Sequence, residues 1–110
     1  MANRTRELLP GTLDILILRS LARGPLHGYA IMQALRDRSD EVLQVGESSL
    51  YPALQRLLLE GWVKAEWGAS ENNRRARFYT LTPSGRKALA SEGADLERML
   101  AAIQKILQTV

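Results

Sequence analysis

The sequence predicts a mainly helical fold with one small β-hairpin, on three observations. Apolar residues recur at helical spacing in four separate segments of the chain. Residues 62–81 instead contain two stretches of high β propensity around a tip rich in turn-forming residues. Glycine and proline residues stand between the segments, where helices start and stop. With 110 residues and 45% hydrophobic content, the chain is sufficient for one domain with one core.

The first predicted helix runs from Leu13 to about Arg23, after a polar arm at residues 1–9 and a break at Pro10-Gly11. We expect Thr12 to cap it and Gly24-Pro25 to end it. Apolar side chains cover most of its circumference, so it needs partners on more than one side. Either a second subunit or the rest of the same chain supplies that cover.

A second helix is predicted to open at His27-Gly28 and to end near Arg38. The only histidine of the chain is therefore expected to have a structural or capping role, because one histidine without a second ligand makes a poor metal site. The short apolar run at 42–45 is compatible with either a small strand or an anchored loop.

The third predicted helix occupies residues 48–61, with Ser48 or Ser49 as its cap and Gly61 as its stop. A cap at Ser49 would place Pro52 at the third helical position, where a missing N–H costs no hydrogen bond. At about 100° per residue, one face is apolar and is expected to be core. It consists of Leu50, Ala53, Leu54, Leu57 and Leu58.

The opposite face of this helix is polar and aromatic, formed by Ser48, Ser49, Tyr51, Pro52, Gln55 and Arg56. Side chains of this kind suit base edges and phosphates in a DNA major groove. The simpler interpretation is an amphipathic helix with a solvated face. For Tyr51, both a DNA contact and packing on the domain remain open.

The predicted hairpin pairs a strand at Trp62–Trp67 with a second strand at 74–81. Arg74, Arg75 and Arg77 lie on its tip and return strand. Residues 72–90 contain five basic and no acidic residues, so this segment has a charge of +5. Because the net charge of the whole chain is +3, the rest of the chain has a charge of −2. Such a local excess of positive charge is expected of a phosphate-binding surface.

The last helix is predicted to start at Thr82-Pro83, a cap followed by proline at the first helical position. Its apolar residues from Leu89 to Val110 are spaced 7, 4, 3, 4 and 3, as in a short coiled-coil seam. Gly93 is expected to interrupt it. We predict that this helix pairs with a second subunit; the alternative is that it folds back on its own domain. The predicted dimerisation residues are Leu13, Leu16, Ile17, Leu96, Leu100, Ile103 and Leu107.

Together these elements predict a winged helix-turn-helix, in which the hairpin is the wing and the third helix reads DNA. Residues 1–82 form the DNA-binding domain with its arm, and 83–110 form the C-terminal dimerisation helix. The predicted DNA contacts are Ser48, Ser49, Tyr51, Pro52, Gln55, Arg56, Arg74, Arg75 and Arg77.

Composition excludes several other classes of protein. The chain has no cysteine, so disulfides and thiolate metal sites are absent. No apolar run is long enough to span a membrane, and the first ten residues lack the apolar core of a signal peptide. We therefore expect a cytoplasmic protein without cofactor or catalytic activity. A winged helix that binds another protein instead of DNA is the alternative function.

Several motifs in this order resemble the PadR family of bacterial transcriptional regulators. They are Pro10–Leu13, His27–Ile31, Leu50–Leu54 with Gly61, and Arg75–Tyr79 followed by Leu81–Gly85. The resemblance implies a homodimeric winged helix that binds operator DNA, usually as a repressor, and in some members is released by a small aromatic or drug-like ligand. The single C-terminal helix is similar to that of the compact members. No ligand site carries over; Trp62 and Trp67 either pack or line a cavity for a planar ligand.

Overall fold

A computed structural model of the chain describes residues 11–109, so the N-terminal arm and Val110 lie outside it. Within that range the predicted order of helices and hairpin is confirmed. The short strand before the second helix was not predicted. The elements are α1 Thr12–Ser20, β1 Leu26–His27, α2 Gly28–Arg38, α3 Glu47–Glu60, β2 Val63–Ala69, β3 Arg75–Leu81 and α4 Pro83–Gln108.

The helix α1 is shorter than predicted and is capped differently. Gly11 is the N-cap, with φ of 84° and no side-chain cap hydrogen bond, so Thr12 is the first helical residue and not the cap. The helix ends at Ser20, and residues 21–23 form a turn. Its cover comes largely from its own chain, because α1 packs against α2, α3 and α4. Ile17 and Leu18 are fully buried there.

The start of α2 is as predicted. The Nδ1 atom of His27 accepts a hydrogen bond from the backbone N–H of Ala30 at 3.2 Å, which confirms the capping role. The helix ends at Arg38, as predicted. Residues 42–45 form a loop and not a strand; the Ser39 hydroxyl accepts from the N–H of Leu43 at 2.9 Å within this connection.

The helix α3 begins earlier than predicted, so the prediction that Ser48 or Ser49 caps it was wrong. Gly46 is the N-cap, and its carbonyl accepts from the N–H groups of Ser49 and Leu50 at 3.2 and 3.0 Å. Pro52 is therefore the sixth helical residue, where it removes one hydrogen bond to the carbonyl of Ser48. The predicted stop is confirmed, because Gly61 takes a left-handed conformation with φ of 77°.

The three strands form an antiparallel sheet in the order β1-β3-β2. Leu26 is paired with Tyr79, and this pairing ties the segment before α2 to the hairpin. The sheet and the inner faces of α1, α2 and α3 enclose one apolar core. Its buried members are Ile17, Leu18, Leu21, Ile31, Leu35, Leu50, Ala53, Leu54, Leu57, Val63, Tyr79 and Leu81.

The helix α4 starts as predicted and continues without a break through Gly93. The Thr82 hydroxyl accepts from the N–H of Gly85 at 2.9 Å and donates to the carbonyl of Gly61 at 2.7 Å. Gly85 is required here, because an added Cβ would lie 2.0 Å from the Trp62 carbonyl oxygen. The first half of α4 packs on the core, and its second half extends away from it with exposed apolar residues. No helix in the described range is long and apolar enough to cross a membrane.

Candidate nucleic-acid interface

The two predicted faces of α3 are present in the structure. Leu50, Ala53, Leu54 and Leu57 are buried, and Leu58 is half-buried against the core. The opposite side is exposed over two turns, and we call it the reading face. It consists of Ser48, Ser49, Tyr51, Pro52 and Gln55.

Tyr51 lies at the edge of the reading face and is both packed and accessible. It is 44% exposed. Its hydroxyl end lies against the start of α2, where a Cβ added at Gly28 would be 2.3 Å from the Tyr51 oxygen. Partial burial raises the pKa of the Tyr51 hydroxyl, and nearby Tyr79 and Glu47 raise it further. Gly28 therefore makes room for a protonated Tyr51 between α2 and the wing.

Arg56 is placed differently from the residues of the reading face. Its guanidinium forms an ion pair with Asp14 of α1, with Nη2 2.8 Å from the carboxylate Oδ1. This hydrogen bond raises the pKa of Arg56. The charge is already partnered within the chain, and the side chain is held toward α1. A DNA contact by Arg56 stays a prediction, and it would require the guanidinium to leave or share its Asp14 partner.

The hairpin carries the predicted arginines, and they have no carboxylate partner among the described residues. We call β2, β3 and the connecting turn at 70–74 the wing. The turn is closed by hydrogen bonds from Ser70 to the Arg74 carbonyl and from Asn73 to the Ser70 carbonyl, both 2.8 Å. Arg74, Arg75 and Arg77 are exposed, and within residues 11–109 none of the three forms an ion pair. Their charge is available to an external anion.

A groove of about 620 Å³ separates the wing from the helices. His27 and Tyr29 line it from the start of α2, and Tyr51 lines it from α3. On the wing side it is lined by Trp67, Arg75 and Arg77, among others. Tyr51 of the reading face and the three wing arginines therefore line the same groove.

His27 connects this groove to the wing in addition to capping α2. Its ring packs edge-on against Phe78, with ring centroids 5.3 Å apart. Its Nε2 atom lies 3.9 Å from the carboxylate of Glu71 in the wing turn. Among the residues that the structure describes, no group of three acidic, histidine or cysteine side chains is arranged to hold a metal ion.

The predicted dimerisation residues fall into two groups. Leu13 and Leu16 on α1 and Leu96 on α4 are half-buried. Leu100, Ile103 and Leu107 are 49%, 38% and 77% exposed along one side of α4. Ile17 was a wrong prediction, because its side chain is fully buried in the core of its own chain. The spacing of apolar residues predicted α1, but it does not show which side of the helix its own domain covers, because nearly every side is apolar.

Three helices followed by an antiparallel hairpin, with the third helix exposed on one side, are the architecture of the winged helix-turn-helix class. Comparison with known proteins agrees. The profile of the family described as "Transcriptional regulator PadR-like family" matches residues 17–91. The chain belongs to this family and is a PadR-like transcriptional regulator.

Relatives and solved structures support this assignment. A transcriptional regulator of Mycobacterium tuberculosis is 32% identical over 86% of this chain and 84% of that protein. The structure of a transcriptional regulator from Clostridium thermocellum is similar with a TM-score of 0.79 and 32% identity, over 89% of this chain and 95% of the other. Bacillus subtilis PadR in complex with operator DNA is similar with a TM-score of 0.64 and 29% identity.

Some relatives are considerably longer than this chain. The Bacillus subtilis match covers 72% of this chain but 46% of the PadR chain. An uncharacterised 37.1 kDa transposon protein of Streptomyces fradiae is 40% identical over 78% of this chain, which spans 23% of that protein.

Proposed function

We propose that the protein is a sequence-specific, homodimeric DNA-binding repressor that acts in the cytoplasm. The observation that carries the proposal is the exposed reading face of α3 next to wing arginines that have no carboxylate partner in the described chain. The operator complex of the related Bacillus subtilis protein supports the same use of this fold.

In this proposal the reading face enters the major groove. Gln55 stands in the middle of α3, fully on the exposed side, and glutamine is suited to a bidentate contact with adenine. Ser48 and Ser49 at the start of the helix offer short hydroxyls to base edges or phosphates. Pro52 keeps the helix surface between them low and apolar, which favours contact with a thymine methyl group.

The wing contributes affinity without reading sequence. Its three arginines bind phosphate through planar donor groups. Each phosphate contact releases condensed counterions, so affinity falls as salt rises. Tyr51, at the groove between α3 and the wing, offers its protonated hydroxyl as a further donor.

We propose a second copy of this chain as the partner of α4. Leu96, Leu100, Ile103 and Leu107 form a continuous apolar stripe on the side of the helix, with Met99 and Ile106 widening it. Residues at these spacings pack as knobs into holes when two such helices meet. Dimerisation would present two reading faces to one symmetric operator.

Release by a small aromatic ligand is the final part of the proposal. A groove of about 590 Å³ lies between α1 and α4, lined mostly by apolar side chains, with Arg19, Arg86 and Glu97 at its charged positions. This volume is within the range of small-molecule sites. A ligand that binds here and changes how α4 is held would alter the distance between the two reading faces. Loss of operator binding on titration with planar aromatic acids tests it, and an unchanged affinity across such a panel would remove this part.

Selection of binding sites from random duplexes tests the DNA-binding proposal. We expect recovery of one sequence with twofold symmetry, whose half-sites are one helical turn apart, about 10 base pairs. The affinity for the selected duplex should fall linearly on a log-log plot against salt, with a slope of about −0.9 per phosphate contact.

A matched pair of variants separates the wing from general charge. Arg75→Ala should reduce the salt slope, whereas Lys105→Ala, which removes one positive charge near the end of α4, should leave it unchanged. An absence of duplex binding even at low salt would instead favour the alternative function, a winged helix that binds another protein.

A further inference from the structure

We infer that Trp67 is a positioning residue for DNA binding, which holds the Arg75 guanidinium in place for a backbone phosphate. The inference rests on the proposed DNA-binding function. It assigns a role to Trp67, a wing residue that is not among the proposed DNA contacts. The observation is that the guanidinium carbon of Arg75 lies 5.0 Å from the centroid of the Trp67 ring.

The strand register brings these two side chains together. Trp67 is paired directly with Arg77, and Ala69 is paired with Arg75, so Trp67 and Arg75 are diagonal neighbours. Residues at these positions point to the same face of the hairpin, and diagonal neighbours are within reach when both side chains are long. The contact therefore follows from the antiparallel pairing of β2 and β3.

Exposure of the Trp67 ring is not explained by packing. Trp67 is 61% exposed, whereas Trp62 packs against the core from the other end of the hairpin. The core would lose little if a smaller residue replaced Trp67. Its ring serves instead as a platform for a cation, the arrangement in which tryptophan is the most effective aromatic residue.

Holding an arginine in advance matters because phosphate binding immobilises it. A free arginine side chain loses rotamer freedom on binding, and this loss opposes association. Arg75 has already lost part of that freedom on the Trp67 ring. The neighbouring Arg74 is exposed and has neither an aromatic platform nor an ion-pair partner among the described residues. Arg74 is thus a matched control within the same wing.

The test uses the full chain and a labelled random-sequence duplex of about three helical turns, at low salt. We expect Trp67→Leu to weaken binding about five- to 30-fold, the size expected of two exposed cation–π contacts, one in each subunit of the dimer. The salt slope should stay the same, because Arg75 still reaches its phosphate. Trp67→Phe should lie between the wild type and Trp67→Leu, because phenylalanine is a weaker cation platform.

A double-mutant cycle supplies the decisive comparison. In the Arg75→Ala background Trp67→Leu should have no further effect, whereas in the Arg74→Ala background it should have its full effect. Equal losses in both backgrounds would show that Trp67 contacts DNA itself or supports the fold, and would overturn the inference. So would a Trp67→Phe variant as weak as Trp67→Leu.

Measurements on the free protein separate this inference from the proposed function. Ring-current shifts of the Arg75 side-chain protons in NMR spectra should be present in the wild type and absent in Trp67→Leu. Their absence in the wild type would overturn the inference without touching DNA binding. A wild-type protein that shows these shifts but binds no duplex would contradict the proposed function and, with it, the role assigned to Trp67.

Discussion

Replacing Leu100 by alanine removes a side chain from the middle of the apolar stripe on α4. Leu100 is 49% exposed in the single chain, so pairing with a second copy would bury about half of its surface. Full burial of a leucine side chain contributes about 1.5–3 kcal/mol, and half of that is about 1 kcal/mol. A symmetric dimer contains the change twice, so the loss is about 2 kcal/mol, or roughly a 30-fold rise in the dimer dissociation constant.

Sedimentation analysis over a range of protein concentrations measures this constant directly. Lys105→Ala is the control, because Lys105 lies two positions beyond Ile103 and so on the other side of a helix with about 3.6 residues per turn. It should leave the dimer unchanged. A wild-type chain that stays monomeric at high concentration, or a Leu100→Ala dimer as tight as the wild type, would refute the assignment of α4 to dimerisation.

Three further substitutions test contacts around the interface. Gly28→Ala places a Cβ against the Tyr51 hydroxyl, which must move aside, and this cost should offset the helix propensity that alanine adds, so we expect no gain in the free energy of unfolding; a gain of about 1 kcal/mol, the size expected at an unobstructed helical position, would contradict the close approach. Because burial raises the pKa of Tyr51, the folded chain keeps a proton that the unfolded chain loses, so stability should fall as the pH rises above about 10. The Tyr51→Phe variant should lose that part of the pH dependence, and identical pH profiles would argue against it. Arg56→Ala removes the ion pair with Asp14 at a half-exposed site, so denaturation should show a loss of less than about 1 kcal/mol. It should leave duplex affinity nearly unchanged if Asp14 keeps the guanidinium, and a loss as large as that of Arg75→Ala would show that Arg56 contacts DNA.

Periodicity and helix signals predicted the helices and the hairpin because those signals are local. The buried and exposed sides of α3 follow from its spacing alone, and the Thr82-Pro83 start of α4 follows from side-chain chemistry. Capping was predicted less well, because glycine caps at Gly11 and Gly46 carry no side-chain signature. Ser48 and Ser49, which resemble caps, lie inside the helix, two and three residues after Gly46.

The features that could not be predicted depend on contacts between distant residues. Strand β1 has two residues and forms only because β3 pairs with it, so no local pattern reveals it. Arg56 and Asp14 are 42 positions apart, so no local pattern reveals that the Arg56 guanidinium has a carboxylate partner within the chain. The close approach of Gly28 to Tyr51 and the stacking of Arg75 on Trp67 likewise require the folded geometry.

In the proposed complex, α3 reads base edges while the wing binds the DNA backbone. The most direct test measures the ratio of affinities for the selected duplex and a random duplex, in Gln55→Ala and Arg75→Ala at one salt concentration. Gln55→Ala should lower this ratio by at least about 30-fold, the value of two bidentate base contacts of about 1 kcal/mol or more each, one in each subunit of the dimer. Arg75→Ala should weaken both duplexes and leave the ratio unchanged. Equal effects of the two variants on both duplexes would show that α3 and the wing do not divide base reading and backbone contact between them.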